Sequence, residues 1–418
     1  MSGRGNYGGR FAALAAVLLF AAAPSPASPA VIERLTALFE QGALAESWVA
    51  GRRAIERAEA ELGASHPQVI RLLLITGRAE LADGLPFHAI GHFERALAGA
   101  RAAGNGDPLT IEAMAELGGA FDAIDRLTEA EAQYRPALAA SERIHGAGHS
   151  RTIDLAARLG GIYARQGQYA EAEPLLVRAL EALQRERGPD DPATLETIAA
   201  LAGVYRSQRL HAQAEPLLVR LIEARERTAG ESAYETVAAN TALAQLLAEQ
   251  RRYDEAEPLF RSALAVIAAA PELGDPQSSP AGQSLGLLYR EQRRFAEAEP
   301  YLRATYDYFD GLLGPGCADT INAAHDLARL HELQGDAASA IPLYRTAFTR
   351  RDYNYGIGHP DTLLSGAGLM RSLLLSGEGG GEALGAARRI AEVMRERRRI
   401  GGAAAGRLAG GTFRQRYC

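Results

Sequence analysis

A twelve-residue string recurs down this chain at a fixed interval, and that interval decides what the chain can fold into. Tyr169-Ala-Glu-Ala-Glu-Pro-Leu-Leu-Val-Arg-Ala-Leu180 and Tyr253-Asp-Glu-Ala-Glu-Pro-Leu-Phe-Arg-Ser-Ala-Leu264 are two copies. Phe295-Ala-Glu-Ala-Glu-Pro-Tyr-Leu-Arg303 opens a third. The alanine at the centre of the step serves as a marker, and it falls every 42 residues at Ala130, Ala172, Ala214, Ala256, Ala298 and Ala340. Ala89 and Ser47 continue the ruler towards the N-terminus and Ala383 continues it towards the C-terminus, at steps of 41, 42 and 43. A period of this size belongs to stacked repeats, so 418 residues need not mean several globular domains.

Each period divides into two helical patterns. In the fourth, Ile153, Leu155, Ala156, Leu159, Ile162 and Tyr163 recur at three- and four-residue spacing, one face of a helix. Gln166-Gly-Gln168 breaks that pattern. Tyr169, Ala172, Leu175, Leu176, Ala179, Leu180 and Leu183 then trace a second face, which Gly188-Pro-Asp-Asp-Pro192 closes. Glycine after a helix can take the left-handed conformation that ends it. Asp107, His149, Asp191 and His359 stand where a cap for the next helix belongs. Neither helix can bury its apolar face alone, so stacking must do it. The marker must stay small because the two helices of a period cross there.

Composition agrees. Hydrophobic residues make up 47% of the chain and aromatics only 6%, a helix-forming mixture rather than a sheet-forming one. The net charge is −6 with no lysine, and the arginines are dispersed, so no nucleic-acid footprint is present. The first thirty residues stand apart. Arg4 and Arg10 precede an apolar run from Phe11 to Ala23, and small residues lead to Ala30. That is the form of a secretory signal cut between Ala23 and Ala30, and the run is too short for a stable membrane span. The expected mature protein is therefore periplasmic or extracellular. Cys317 and Cys418 could pair after export, and two free thiols are the expected state.

On the strings Leu-Gly-Gly-Ile-Tyr163-Ala-Arg-Gln-Gly-Gln-Tyr-Ala-Glu-Ala-Glu-Pro-Leu-Leu and Gly-Ile-Gly-His359-Pro-Asp-Thr362, the chain resembles the tetratricopeptide repeat family, in its 42-residue, kinesin-light-chain-like form. The resemblance covers residues 31 to about 400 and leaves 401–418 as a tail. It implies an all-α fold, a right-handed superhelical solenoid of about nine helix-turn-helix repeats. It also implies that the first helix of each repeat lines a concave groove for peptides of partner proteins. Kinesin light chains carry a clamping asparagine there; here the aligned residues are Ala115, Ala157, Ala199, Thr241, Gln283, His325 and Ala367.

The same alignment places Ala115 and Gly119, Ala157 and Gly161, and Ala199 and Gly203 in the groove of repeats three to five. A mid-helix glycine costs about 1 kcal/mol against alanine. Three in register point to a shallow trough that admits a partner segment. Glu112, Asp154 and Glu196 are expected on one wall and Arg158, Arg165 and Arg206 on the other.

Other constellations carry less. His88 and His92 stand four apart, and His325 and His331 have acids beside them, but neither pair has a third ligand of matching spacing. No nucleophile elbow and no phosphate or dinucleotide loop occurs, so no catalytic residue, metal or cofactor is expected. Glu171, Glu173, Glu255, Glu257, Glu297 and Glu299 repeat at helix starts and read as surface charges favoured by the helix dipole. The leading reading is a non-enzymatic scaffold for another protein or peptide segment, without nucleic acid. The competing readings are an accessory subunit of an enzyme or envelope assembly complex, and a weak enzyme with a metal at His325 or His331.

Overall fold

A computed structural model describes residues 29–104, 108–230, 233–270, 274–377 and 380–401. The expected signal segment lies almost wholly outside the described residues, as do Asp107 and the tail 402–418. The described residues form eighteen α-helices and no strand, an all-α repeat solenoid built of helical hairpins. They divide into two compact halves between Ala224 and Arg225.

The N-terminal half holds α1 (Pro29–Glu40), α2 (Leu44–Leu62), α3 (Pro67–Ala82), α4 (Pro86–Ala103), α5 (Pro108–Ala123), α6 (Leu127–His145), α7 (Ser150–Arg165), α8 (Tyr169–Glu186) and α9 (Pro192–Ser207). The boundary falls within α10 (His211–Ala229). The C-terminal half holds α11 (Tyr234–Glu249), α12 (Tyr253–Ala269), α13 (Pro280–Glu291), α14 (Phe295–Leu313), α15 (Ala318–Gln334), α16 (Ala337–Tyr355), α17 (Pro360–Ser376) and α18 (Gly380–Gly401). Odd-numbered helices are the first of each hairpin and even-numbered ones the second, giving hairpins 1 to 9.

The marker residues explain the spacing. All nine, from Ser47 to Ala383, are buried. Four residues further along the second helix stands a large buried side chain, such as Phe93, Tyr134, Leu176, Phe260 or Leu302. It presses on a small residue of the first helix. A Cβ on Gly160 would lie 2.8 Å from Leu176 Cγ, and one on Gly118 2.9 Å from Tyr134 Cε1. Interiors packed this densely leave no room for an extra methyl group.

Every hairpin turns through one left-handed residue at the same place. Gly42, Gly84, Asp125, Gly167, Arg209, Arg251, Arg293, Gly335 and Gly377 all have φ between 59° and 83°. Four are not glycine, which the sequence did not lead us to expect. The helix starts follow the capping logic. Asp191 accepts from Ala193 N at 3.0 Å, and His66, His149 and His359 each accept at Nδ1 from the amide two residues on. Cys317 is disulfide-bonded and buried, which corrects the expectation of a free thiol there; the second cysteine, Cys418, lies outside the described residues.

Candidate functional site

In both halves successive first helices touch one another, as α1 with α3, α3 with α5, α7 with α9, α11 with α13 and α15 with α17. Successive second helices do not reach the same degree of contact. The first helices therefore lie on the inner, shorter side of each half, where a partner would be held.

On the inner side of the N-terminal half, the trough residues separate into two kinds. A Cβ added to Gly161 or Gly203 would meet nothing within 4 Å, so packing does not require glycine at either place. Gly119 differs: its Cβ would stand 3.4 Å from the Tyr134 hydroxyl and 3.8 Å from Arg158 Nη1. Arg158 thus reaches back over hairpin 3 rather than forming a separate wall. Ala115, Ala157 and Ala199 are half-buried beside these glycines.

The charged walls are largely engaged with the array itself. Arg78 of α3 donates to Glu112 at 2.6 Å and to Glu116 at 2.8 Å, and Arg151 stands 3.5 Å from Glu112. Asp154 accepts from Arg187 at 2.8 Å. Arg165 reaches back to Asp122 and Asp125 of hairpin 3. Glu196 is exposed and forms no ion pair among the described residues, and Arg206 is half-buried. Two walls of opposite charge do not face each other across an open channel. Charges alternate along the array and bond from one hairpin to the next.

Towards the N-terminal end the trough becomes a cavity of about 340 Å³. Phe39, Leu74, Ile75 and Arg78 contribute to its lining, with Glu112 at its rim. Leu74 and Arg78 occupy the places that Ala115 and Gly119 hold one hairpin later. Sequence reading passed over them because it followed the glycines.

The C-terminal half presents a different inner face. His325 Nδ1 lies 3.0 Å from Ser365 Oγ, and Arg351 donates to Ser365 Oγ at 2.7 Å, to Asn322 Oδ1 at 2.7 Å and to the Asp361 carbonyl at 3.0 Å. Burial, with the Arg351 guanidinium beside it, pushes His325 down to about 4. His331 faces the other way, 3.3 Å from Arg303 and 3.1 Å from Gln334. The two histidines do not converge, and no group of three metal-ligating side chains occurs among the described residues. His92 is likewise engaged, 2.7 Å from Glu80, whose other oxygen accepts from Arg52. Burial raises the Glu80 carboxyl, but bonds from His92 and Arg52 outweigh it and hold it below the usual range.

The glutamates of the repeated step are more than dipole charges. The first, as Glu255 or Glu297, pairs with the arginine three residues before it. The second reaches the next hairpin: Glu257 accepts from Arg294 at 2.6 Å and from Tyr289 Oη at 3.1 Å.

Two family models, both described as tetratricopeptide repeat, match the chain, one over 151–227, 196–269 and 278–352, the other over 110–151. The chain belongs to the tetratricopeptide repeat family. No curated protein sequence matches it. Among solved tetratricopeptide repeat structures, a signal transduction ATPase with numerous domains from Pyrococcus horikoshii, which carries such a sensor, is similar at TM-score 0.57. It shares 12% identity over 84% of this chain and 53% of that one. A Rap protein complexed with competence and sporulation factor gives 0.51, with 15% identity over 84% of this chain and 99% of that one. A kinesin-light-chain-type protein of nearly identical repeats from Podosopora anserina gives 0.42, with 21% identity over 49% and 97%. At these identities the likeness is one of fold. A tetratricopeptide repeat fold is a protein-interaction scaffold, and no helix among the described residues is long and apolar enough to cross a membrane.

Proposed function

We propose that this protein is an exported, non-enzymatic scaffold that holds a segment of another protein on the inner side of its N-terminal half. The segment lies over Ala157, Gly161, Ala199 and Gly203, with Glu112, Ala115, Gly119, Asp154, Arg158, Arg165, Glu196 and Arg206 around it. The observation that carries this reading is the open space at Gly161 and Gly203. Each glycine weakens its helix by about 1 kcal/mol, and no neighbour repays that by close packing. A guest approaching the backbone would. A Rap protein binds its factor within a fold of the same kind, which supports the reading. Export to the periplasm or cell exterior rests on Arg4, Arg10 and the apolar run to Ala23.

The test is cross-linked capture from the exporting cell's envelope by the wild type and by Gly161→Leu/Gly203→Leu. The double variant should fold with unchanged or raised stability and lose its stoichiometric partner. Retention of the same partner by the folded variant would end the proposal. Detection of the chain only in the cytoplasm would end the claim of export.

A further inference from the structure

Twelve residues past its marker, the second helix of a hairpin can carry an acceptor for the hairpin that follows, and the donor stands six residues past that next marker. Glu59 takes Arg95 at 2.5 Å, Glu142 takes Arg178 at 2.7 Å, Gln184 faces Arg220, and Asp352 pairs with Arg389. Two of the other four junctions lack the acceptor, with Arg101 opposite Pro136 and Ala268 opposite Ala304. The remaining two keep an acid and lack the arginine, with Glu226 set against Ser262 and Asp310 against Thr346. Glu226 is exposed to water. Asp310 is half-buried, and its Oδ1 is buried with no hydrogen-bond partner. A polar atom left in that state is rare, because it has lost water without a replacement.

The missing arginine leaves a space. Thr346 lines a groove of about 420 Å³, with Pro315 from the loop after α14 and Arg345, Thr349, Arg350 and Tyr353 from α16. The Tyr353 ring is 71% exposed and is a surface on which a guanidinium can stack. Of the two groove arginines, Arg345 is held by Glu382 at 2.8 Å, and Arg350 forms no ion pair among the described residues. Three acids close by in sequence, Asp307, Asp310 and Asp319, form none either. The balance favours a further cation.

Two residues beyond Pro315 stands Cys317, which is disulfide-bonded. The other cysteine of the chain closes the run Phe413-Arg-Gln-Arg-Tyr-Cys418. In an extended segment alternate side chains share a face, so a cysteine turned towards Cys317 brings Arg416 to the same side. Arg416 precedes Cys418 by two residues, as Pro315 precedes Cys317, a reach of about 7 Å.

We infer that the segment 413–418 lies in this groove, tied by a Cys317–Cys418 disulfide, with the Arg416 guanidinium seated on Asp310 and the Tyr353 ring. An arginine from the tail fills the place that Arg178 and Arg389 fill at other junctions, and hairpins 8 and 9 become one covalently closed loop. The groove lies on second helices, away from the inner-side trough, so this inference stands apart from the partner proposed there.

The test is the disulfide equilibrium of the full chain in glutathione buffers, where two glutathione thiols reduce the bond and leave as glutathione disulfide. Peptide mapping identifies the bond, and circular dichroism follows folding. The oxidised chain should yield one peptide pair, joined through Cys317 and Cys418. A seated Arg416 holds the two sulfurs near each other. Arg416→Gln and Asp310→Asn should therefore each lower the equilibrium constant for bond formation by about fivefold or more, and together no further than the larger single effect. Thr346→Arg, which supplies the arginine found at other junctions, should occupy Asp310, displace the tail and lower the constant likewise, with an unchanged or raised melting temperature. A disulfide joining two chains, a constant unchanged by Arg416→Gln, or additive effects of Arg416→Gln and Asp310→Asn would overturn the inference.

Discussion

Gly160 and Gly161 are sequence neighbours for which the structure requires opposite outcomes. Alanine at either position removes the cost of a mid-helix glycine, a gain of about 1 kcal/mol. At Gly161 nothing opposes that gain, because the new methyl group meets no atom within 4 Å. At Gly160 the methyl group would stand 2.8 and 2.9 Å from Leu176 Cγ and Cδ2, and 3.3 Å from Leu175 Cβ. Leu176 is wholly buried, so it cannot swing away, and overpacking of this kind costs about 1–3 kcal/mol. Gly161→Ala should therefore be more stable than wild type by about 1 kcal/mol. Gly160→Ala should be neutral or less stable by up to about 2 kcal/mol, the overpacking cost less the helix gain. Urea titration separates the pair. Trp48, the chain's one tryptophan, donates to Asp83 at 2.8 Å within the N-terminal half, so its fluorescence reports that half while circular dichroism follows the whole array. Equal midpoints for the two variants, or a less stable Gly161→Ala, would refute the division of these glycines into packed and open.

Ala172 is wholly buried where α7 and α8 cross, so Ala172→Phe should lower the stability of the N-terminal half by about 1–3 kcal/mol; an unchanged thermal midpoint would refute the crossing. His325 is held neutral in the folded chain down to about pH 4, while in the unfolded chain an imidazole protonates near 6.5. Its contribution is complete above pH 6.5 and lost as the pH falls to 4, about 3 kcal/mol across that window. Urea titrations at pH 7, 5.5 and 4, compared with His325→Asn, should show the wild type losing more stability than the variant; parallel losses would exclude His325 as the source.

The sequence made the hairpins legible because helix faces and the marker leave local traces. Ala172 can be identified as a crossing point from its spacing alone, and it is wholly buried. The trough was legible only in part. Gly118-Gly119 and Gly160-Gly161 look alike as pairs, yet in each the first glycine packs under Tyr134 or Leu176, while the second faces open space at Gly161 and lies beside Tyr134 Oη and Arg158 at Gly119. Telling them apart needs the partner helix in three dimensions. Arg158 could not be placed over Gly119 from its own hairpin, because the contact crosses a 42-residue interval. For the same reason Glu257 read as a surface charge: its partners, Tyr289 and Arg294, lie one hairpin away. His325 gave no sign of burial because its neighbours Arg351 and Ser365 come from α16 and α17.

The left-handed residue that closes each hairpin has a consequence for how such a chain can change length. Arg209, Arg251 and Arg293 adopt the same φ as the glycines before and after them, although a side chain there costs roughly 1 kcal/mol or more. The bend is thus enforced by the helices on either side rather than granted by the residue that makes it. Because the bend repeats at one register, whole 42-residue blocks could be gained or lost with both splice points meeting in matching geometry, whereas a partial block would turn every later helix away from its neighbour.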